Sequence, residues 1–251
     1  MPNITLMKKT LSIAAAILVS LHFSNACLAQ ASATTTVAPA SAGQLAAAAV
    51  TAPPAAAPAA DSAQAGYAVG EAHIVLPAPN ANFVDMNDQA KAGVENSLPP
   101  ISRLVRGYAN KNDPSGISAA TVQSIRPIET AILGAPDFQQ FVAQTKAAMG
   151  SMDSKTTQDA IKSADKNNII AGQPKPLGTL FERENVYASA MIVAANTPAG
   201  TVDVTVGTAL MLVKGKLIIV SMTSAYKDDT SVNALKTDLD AWVKTIEDAN
   251  K

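Results

Sequence analysis

The pattern of hydrophobic and polar positions is clearest in the last third of the chain. Residues 187–195 and 217–226 are rich in apolar and β-branched side chains, whereas residues 202–213 begin with strict alternation and then become almost wholly apolar. Alternation with a period of two is typical of a half-buried strand, and a short apolar run between turn residues fits a buried one. These three ranges are therefore predicted to be consecutive strands.

Short connections predict how the three strands pair. Only Lys214-Gly215-Lys216 separates the second strand from the third, and residues 196–200 supply turn-forming side chains before the second. Glycine reaches the positive φ angles of a tight hairpin turn without steric penalty. The sequence therefore predicts an antiparallel meander.

A long amphipathic helix is predicted after the meander, over residues 228–250. Asp228 and Asp229 offer carboxylates to the free N–H groups of the first turn. Trp242 lies on the apolar stripe, so it is interpreted as a core anchor rather than as a ligand platform. The stripe recurs at three- and four-residue steps and contains Val232, Leu235, Leu239, Trp242, Val243 and Ile246.

The preceding part of the chain alternates between shorter strands and helices. Strands are predicted at residues 73–76, 82–86, 101–108 and 122–128, with an extended region from 178, and helices at residues 88–98, 135–150 and 156–164. Pro127 indicates an edge strand or a strand end. The fold class is therefore α+β, with a mainly antiparallel sheet, helices packed on its faces and a C-terminal β-meander closed by the long helix, in one domain over residues 67–251.

The N-terminus has the three-part layout of a secretory signal peptide. Lys8 and Lys9 precede an apolar run at residues 11–21, and small residues follow around positions 26–31. We predict a signal peptide at residues 1–29, with cleavage after Ala29 or Ala31, and therefore a periplasmic or secreted protein. No other apolar run approaches membrane length without charges or turns, so the mature chain is expected not to insert into a membrane.

Cys27, the single cysteine, lies inside this signal region. As a lipid-attachment site it would become the acylated first residue, but Ser24 stands where that motif requires an aliphatic side chain. With ordinary cleavage the mature chain has no cysteine and cannot form a disulfide.

Residues 30–66 consist largely of Ala, Pro, Thr, Ser and Gln, with Asp61 as the only charge. Such a segment has no apolar cluster to offset its ordering entropy, so it is predicted to be a disordered spacer. It acts either as a tether that extends the domain from an envelope surface or as a linker without a partner of its own. The net charge of −1, without a basic stripe, argues against nucleic-acid binding.

Candidate catalytic and metal-binding motifs are weak. His73 is the only histidine after the signal region, and a metal site or a serine–histidine triad could in principle be built around it. A lone histidine near a strand start is more often a surface or capped residue, which is the interpretation favoured here. With no cysteine and no second histidine, an ordinary transition-metal site is excluded, and no cofactor is predicted. Ser224 and Lys227 have the spacing of a Ser-x-x-Lys motif, but that motif requires a helix and these residues end a predicted strand. Residues 85–88 resemble the start of a calcium loop that lacks its glycine and its final glutamate, which leaves at most a weak surface cation site.

Several core and turn segments together resemble a known fold family. They include Ile-Val-Leu-Pro-x-Pro-x-x-x-Phe-Val at residues 74–84, Arg-Leu-Val at 103–105, the Lys-Gly-Lys turn, and the tryptophan-containing helix that ends in Ala249-Asn250. The chain resembles exported bacterial proteins whose domain is similar to the Mog1/PsbP α/β/α sandwich. This resemblance implies a fold and an interaction-type role, and it transfers no catalytic residue.

Three functions follow as hypotheses. The first is a non-enzymatic exported interaction module that holds an envelope protein with one sheet face or with the loops around residues 110–118 and 165–173. The second is a carrier of a small ligand or lipid, which requires an apolar cavity. The third is a hydrolase in which at least two of six residues converge: Glu129, Asp137, Glu182, Glu184, Ser221 and Ser224.

Overall fold

The computed structural model describes residues 66–165, 170–197 and 200–251. The predicted signal peptide and all but the last residue of the predicted spacer lie outside these residues. The described elements, in chain order, are β1 Gly66–Val69, β2 Ala72–Val75, β3 Phe83–Asp85, α1 Asp88–Ser97, β4 Ser102–Asn110, β5 Ala119–Ile125, a 3₁₀ turn Arg126–Ile128, α2 Ala135–Gly150, α3 Lys155–Ala164, β6 Lys175–Arg183, β7 Val186–Thr197, β8 Gly200–Val213, β9 Lys216–Ala225 and α4 Asp229–Ala249.

Seven strands form one sheet in the order β3-β4-β5-β9-β8-β7-β6, and every neighbouring pair is antiparallel. The predicted α+β class, the meander of the last three strands and the C-terminal helix are confirmed. Lys214 and Gly215 have φ angles of 49° and 73°, which are the two positive values that a two-residue hairpin turn with the right twist needs.

One sequence prediction at the end of a strand is corrected. Residues 126–128, predicted as part of a strand, form a 3₁₀ turn, because Pro127 has no N–H with which to continue the ladder. The strand predicted at residues 73–76 is found as β2, which forms a separate hairpin with β1. The sequence reasoning missed β1 because residues 66–69 follow directly on the Ala- and Pro-rich spacer.

One face of the sheet is covered by α4, whose side chains Leu235, Leu239, Trp242, Val243 and Ile246 are buried as predicted. The helix approaches the sheet closely at Gly207, where an added Cβ would lie 3.2 Å from the Cδ2 atoms of two of these leucines. The whole of this face is one hydrophobic cluster, which also includes the apolar side chains of the β1–β2 hairpin.

The segment that follows β2 is fixed to this face through its backbone. The side chain of Asn250 accepts from the N–H of Val75 and donates to its carbonyl, at 2.9 and 2.8 Å. The Trp242 indole donates to the Pro77 carbonyl at 2.8 Å. Residues 75–77 are called the strap below, and these bonds explain why an N-terminal segment packs against the last helix.

The opposite face is covered by α1, α2 and α3, and its core is divided into three clusters. A row of short hydroxyl side chains crosses the strands between two of the clusters. Strand register aligns Ser189 with Thr208, Thr208 with Ser221, and Ser221 with Thr121. All four are buried, and they are called the hydroxyl row below.

Candidate functional site

The two loops that the sequence singled out for partner binding lie at the same end of the sheet, where β4 and β7 end. At this end α2 finishes and α3 packs over a cluster of eight buried side chains, which includes Met149, Met152 and Met191. Ile117, from the loop around residues 110–118, and Ile170, from the loop around 165–173, both pack against it. We call this group the methionine cluster and this end the cleft end.

A cleft of about 580 Å³ opens beside the methionine cluster. Its floor is formed by the buried side chain of Ile161 and the half-buried side chain of Ile170, and its rim is polar. The cleft lies between α3 and the segment that leads into β6, and it is lined by Gln158, Ile161, Lys162, Asp165, Ile170, Ala171, Gly172, Gln173 and Pro174.

Hydrogen bonds hold the walls of the cleft in place. Ile170 donates its N–H to the Asp165 carboxylate at 2.7 Å, and Ala171 donates to the Ala194 carbonyl of β7 at 2.7 Å. The Gln173 amide donates to the Asp153 carboxylate at 2.8 Å. The described part of this loop is therefore attached both to the sheet and to the turn before α3.

The loop around residues 110–118 is organised by one carboxylate. Asp113 accepts hydrogen bonds from the backbone N–H and the hydroxyl of Ser115 and from the N–H of Ser118. Burial alone would raise the pKa of Asp113, but these hydrogen bonds outweigh it and hold the pKa below its usual value. The carboxylate oxygens therefore serve the loop itself.

The structure does not bring together the six residues of the hydrolase hypothesis. In the described parts of the chain, no hydrogen bond joins any two of them. Glu129 binds Arg103 and Ser124, and Asp137 accepts from the N–H of Gly134 at the start of α2. Glu182 pairs with Lys146, and Glu184 is exposed at the β6–β7 turn. Ser221 belongs to the hydroxyl row, and Ser224 lies near the end of β9. The hydrolase hypothesis requires at least two of these six residues to converge, and in the described parts of the chain they do not.

The other motifs that the sequence singled out lie in ordinary structural positions. His73 is exposed in β2. Asn87 accepts from the N–H of Ala90 and caps α1, so it is used by the helix start rather than by a calcium loop. Ser224 lies in β9, and Lys227 follows its end, outside a helix. Within the described residues, no group of three or more His, Cys, Asp and Glu side chains is placed to hold a metal ion.

An arginine that the sequence did not single out makes the densest polar contacts on the α4 face. The Arg106 guanidinium lies 4.7 Å from the ring centroid of Tyr67 and 4.8 Å from that of Tyr108. It makes two hydrogen bonds to the Asp85 carboxylate, at 2.8 and 2.9 Å, and donates a third to the Leu76 carbonyl of the strap.

Arg106 supports the fold rather than binding a ligand, because each of its three guanidinium nitrogens already donates to a protein group. The hydrogen bond from Arg106 lowers the pKa of Asp85, and burial raises the pKa of Tyr108. The only sequence signal for these Arg106 contacts was the i, i+2 spacing of Arg106 and Tyr108, which places both side chains on one face of a strand. That spacing is too common to be diagnostic.

Comparisons with known proteins bear on the fold alone. No protein-family model matches the chain, and the search of curated proteins found no significant match. A crystal structure of the Saccharomyces cerevisiae Ran-binding protein Mog1p is 12% identical, with a TM-score of 0.29, over 70% of this chain and 83% of Mog1p. A mutant of protein Mog1 is 11% identical, with a TM-score of 0.30, over 68% and 84%. The weak fold-level similarity to Mog1 that the sequence predicted is therefore found among solved structures.

In the described residues, no helix is long and apolar enough to cross a membrane.

Proposed function

We propose that this chain is a non-enzymatic, exported binding module that holds its partner at the cleft end. The observation that carries the proposal is the shared methionine cluster, against which Ile117 and Ile170 of the two candidate loops pack beside the cleft. Helices lie on both faces of the sheet. The proposal therefore uses the loops and not a sheet face.

The side chains of the cleft end suit adaptable recognition. Methionine is unbranched, flexible and polarisable, so a cluster built on it can repack around differently shaped apolar groups. Ile161 and Ile170 offer a small apolar floor, while Lys162 and Asp165 place one charge of each sign in the lining. A partner that inserts one apolar side chain and makes polar contacts around it fits this arrangement.

The size of the cleft supports a second candidate function, the carrier of a small ligand. A volume of about 580 Å³ falls within the range of about 300–1,000 Å³ that small-molecule sites occupy. The two functions share one location but differ in what the protein retains, so one set of variants can distinguish them.

The test blocks the cleft at Gly172, where an added Cβ would meet only the Cβ of Ala194, at 3.9 Å. Gly172 lines the cleft and has no positive φ angle, so Gly172→Leu adds a bulky side chain at the cleft wall without backbone strain. Gly93→Leu in α1 is the matched control, because an added Cβ there meets nothing within 4 Å. The full chain and both variants would be used to capture proteins from a chemically crosslinked envelope extract, and would also be titrated with palmitate and with the fluorescent probe ANS.

We expect the wild type and Gly93→Leu to retain the same specific protein and Gly172→Leu to lose it. Saturable binding of palmitate or ANS that is lost only in Gly172→Leu, without a captured protein, would instead support the carrier. If no protein is captured under several growth conditions and neither probe binds, both functions are wrong for this cleft. Capture that is unchanged by Gly172→Leu would place the binding site elsewhere.

A further inference from the structure

The end of the sheet opposite the cleft presents an exposed apolar side chain on the loop before α2. Ile132 lies between the 3₁₀ turn and α2, and 83% of its surface is exposed. In the described parts of the chain, the other large hydrophobic residue with high exposure is Val84, at 47%. A single exposed aliphatic residue is ordinary in a protein, so its surroundings decide whether it has a role.

The loop that carries Ile132 is firmly held. Leu133 donates its N–H to the Gly215 carbonyl at 2.8 Å, and the buried Lys216 ammonium donates to the Glu129 and Ala131 carbonyls, each at 2.9 Å. An added Cβ at Gly215 would lie 3.0 Å from Cγ2 of Ile132, so this side chain also rests on the hairpin turn. The exposure of Ile132 is thus a fixed feature of a well-bonded loop.

Three cations lie around this loop without a direct salt bridge, and one of them, Arg126, attracts the Glu129 carboxylate electrostatically. Arg126 and Lys214 are exposed and donate to the backbone carbonyls of Ser102 and His73. Together with the buried Lys216 they give three cations that form no salt bridge among the described residues. The acidic groups at this end of the sheet include Glu71 in the β1–β2 turn and the exposed Glu184 in the β6–β7 turn. They also include Glu129, which is paired with Arg103, and Asp137, which accepts from the N–H of Gly134.

We propose that this end is a second interaction surface, which docks on a membrane of anionic phospholipid. In this arrangement Ile132 enters the interfacial layer, while Arg126 and Lys214 meet the headgroup phosphates. The proposal is independent of the cleft at the other end of the sheet. It concerns attachment to the membrane surface and not insertion of a transmembrane segment.

A membrane fits this surface better than a protein partner does. A protein would have to supply a preformed pocket for one protruding isoleucine, whereas a fluid bilayer accepts any convex apolar tip. The two contributions are also of the right kind, because interfacial binding combines buried apolar area with electrostatic attraction to anionic lipid. A basic residue near an anionic leaflet contributes on the order of 1 kcal/mol, which corresponds to about fivefold in binding.

The experiment is vesicle co-sedimentation of the full chain at low salt. Vesicles would contain phosphatidylcholine with about 30% phosphatidylglycerol, and neutral vesicles would contain phosphatidylcholine alone, because surface potential depends on the anionic fraction. Each variant carries the same N-terminal 65 residues as the wild type, so any membrane affinity of that region is common to all. We expect Ile132→Ser to lower binding to the anionic vesicles about fivefold, and Arg126→Gln with Lys214→Gln to lower it about tenfold or more.

Matched controls test the location. Val84→Ser removes the other exposed apolar side chain, and Lys111→Gln removes an exposed lysine at the cleft end. Both are expected to bind like the wild type. The proposal is overturned if the Ile132 and Arg126/Lys214 variants bind as the controls do. It is also overturned if soluble polyglutamate competes fully and Ile132→Ser has no effect, since that result would indicate an acidic protein partner.

Discussion

The two faces of the sheet solve the same packing problem in different ways. On the α4 face, twenty buried hydrophobic residues form one cluster that extends from the β1–β2 hairpin to the last helix. On the other face, three helices cover three separate clusters, and the hydroxyl row lies between two of them. A continuous cluster ties its elements into one cooperative unit, whereas separate clusters allow one part to open without the rest.

The proposed binding site lies on the face opposite α4, which we call the divided face because its core is split into three clusters. The methionine cluster contains eight buried residues, and Ile161 is the one that α3 contributes among its described side chains. Elements with few buried apolar contacts open at low free energy, and binding sites are commonly found in such regions. The contrast between the faces therefore separates a part that maintains the fold from a part that can adapt to a partner.

The largest effect is expected from removing the centre of the α4 face. Trp242 is fully buried, packs edge-on against Tyr108 at 5.8 Å and donates to the strap. Trp242→Ala should lower the free energy of unfolding by about 3–5 kcal/mol, from lost burial and a cavity. Trp242→Phe keeps most of the apolar surface but leaves the Pro77 carbonyl without its donor, so about 1–3 kcal/mol is expected. Urea unfolding followed by far-UV circular dichroism measures both.

Ile161→Ala is the comparison on the divided face. It removes the large buried side chain by which α3 packs on the methionine cluster. We therefore expect α3 amides to exchange hydrogen faster through local opening while α4 amides remain protected. Global loss of stability equal to that of Trp242→Ala, with faster exchange in both helices, would show that the two faces form one cooperative unit.

The same contrast explains which features were predictable from the sequence. The meander and α4 were predicted from a period of two and from a stripe at three- and four-residue steps, and these signals arise because both elements bury one side against a large core. The divided face gives a weaker signal. In α3, for example, Ile161 is the one large apolar residue, and no periodicity can be read from a single position.

The candidate site was predictable only in part. Turn-forming residues marked the two loops, but their packing on one cluster depends on Ile117 and Ile170, which are distant in sequence and meet only through the fold. The Arg106 contacts were not predictable for the same reason, since Asp85, Leu76 and Tyr67 reach this side chain from three separate segments.

A smaller effect is expected from pH, and it distinguishes the Asp85–Arg106 pair on the α4 face from the cleft end. The pKa of Asp85 is lowered by its hydrogen bond from Arg106, and that of Asp113 by hydrogen bonds from Ser115 and Ser118 against the opposing effect of burial. A carboxyl with a lowered folded-state pKa stabilises the fold above its unfolded pKa, about 3.9 for aspartate, and this contribution is lost as the pH falls through the folded value.

The free energy of unfolding should therefore fall as the pH is lowered below about 5, by less than about 1 kcal/mol per group, because Asp85 is half exposed and screened by solvent. Asp85→Asn should remove the part of this dependence that comes from the Asp85–Arg106 pair, and Asp113→Asn the part from the loop around residues 110–118. Urea titrations at a series of pH values measure it, and stability that rises on acidification would contradict the assignment.

The smallest net effect is expected from replacing two hydroxyls of the hydroxyl row together, on the face opposite α4. The hydroxyl oxygens of Thr208 and Ser221 lie 3.3 Å apart and are buried. Either Thr208→Val or Ser221→Ala alone leaves the other hydroxyl without its hydrogen-bond partner and should lower the free energy of unfolding by about 1 kcal/mol. Replacing both hydroxyl side chains with apolar ones in the same protein should be nearly neutral. The double-mutant cycle should therefore show a coupling energy of about 2 kcal/mol, because the nearly neutral double variant replaces two single costs of about 1 kcal/mol each. If the row is what separates the clusters, the double variant should also slow hydrogen exchange in α3, because an apolar row would join the methionine cluster to the core under α2. Additive single effects with unchanged exchange in α3 would mean that the clusters are separated by helix placement and not by these hydroxyls.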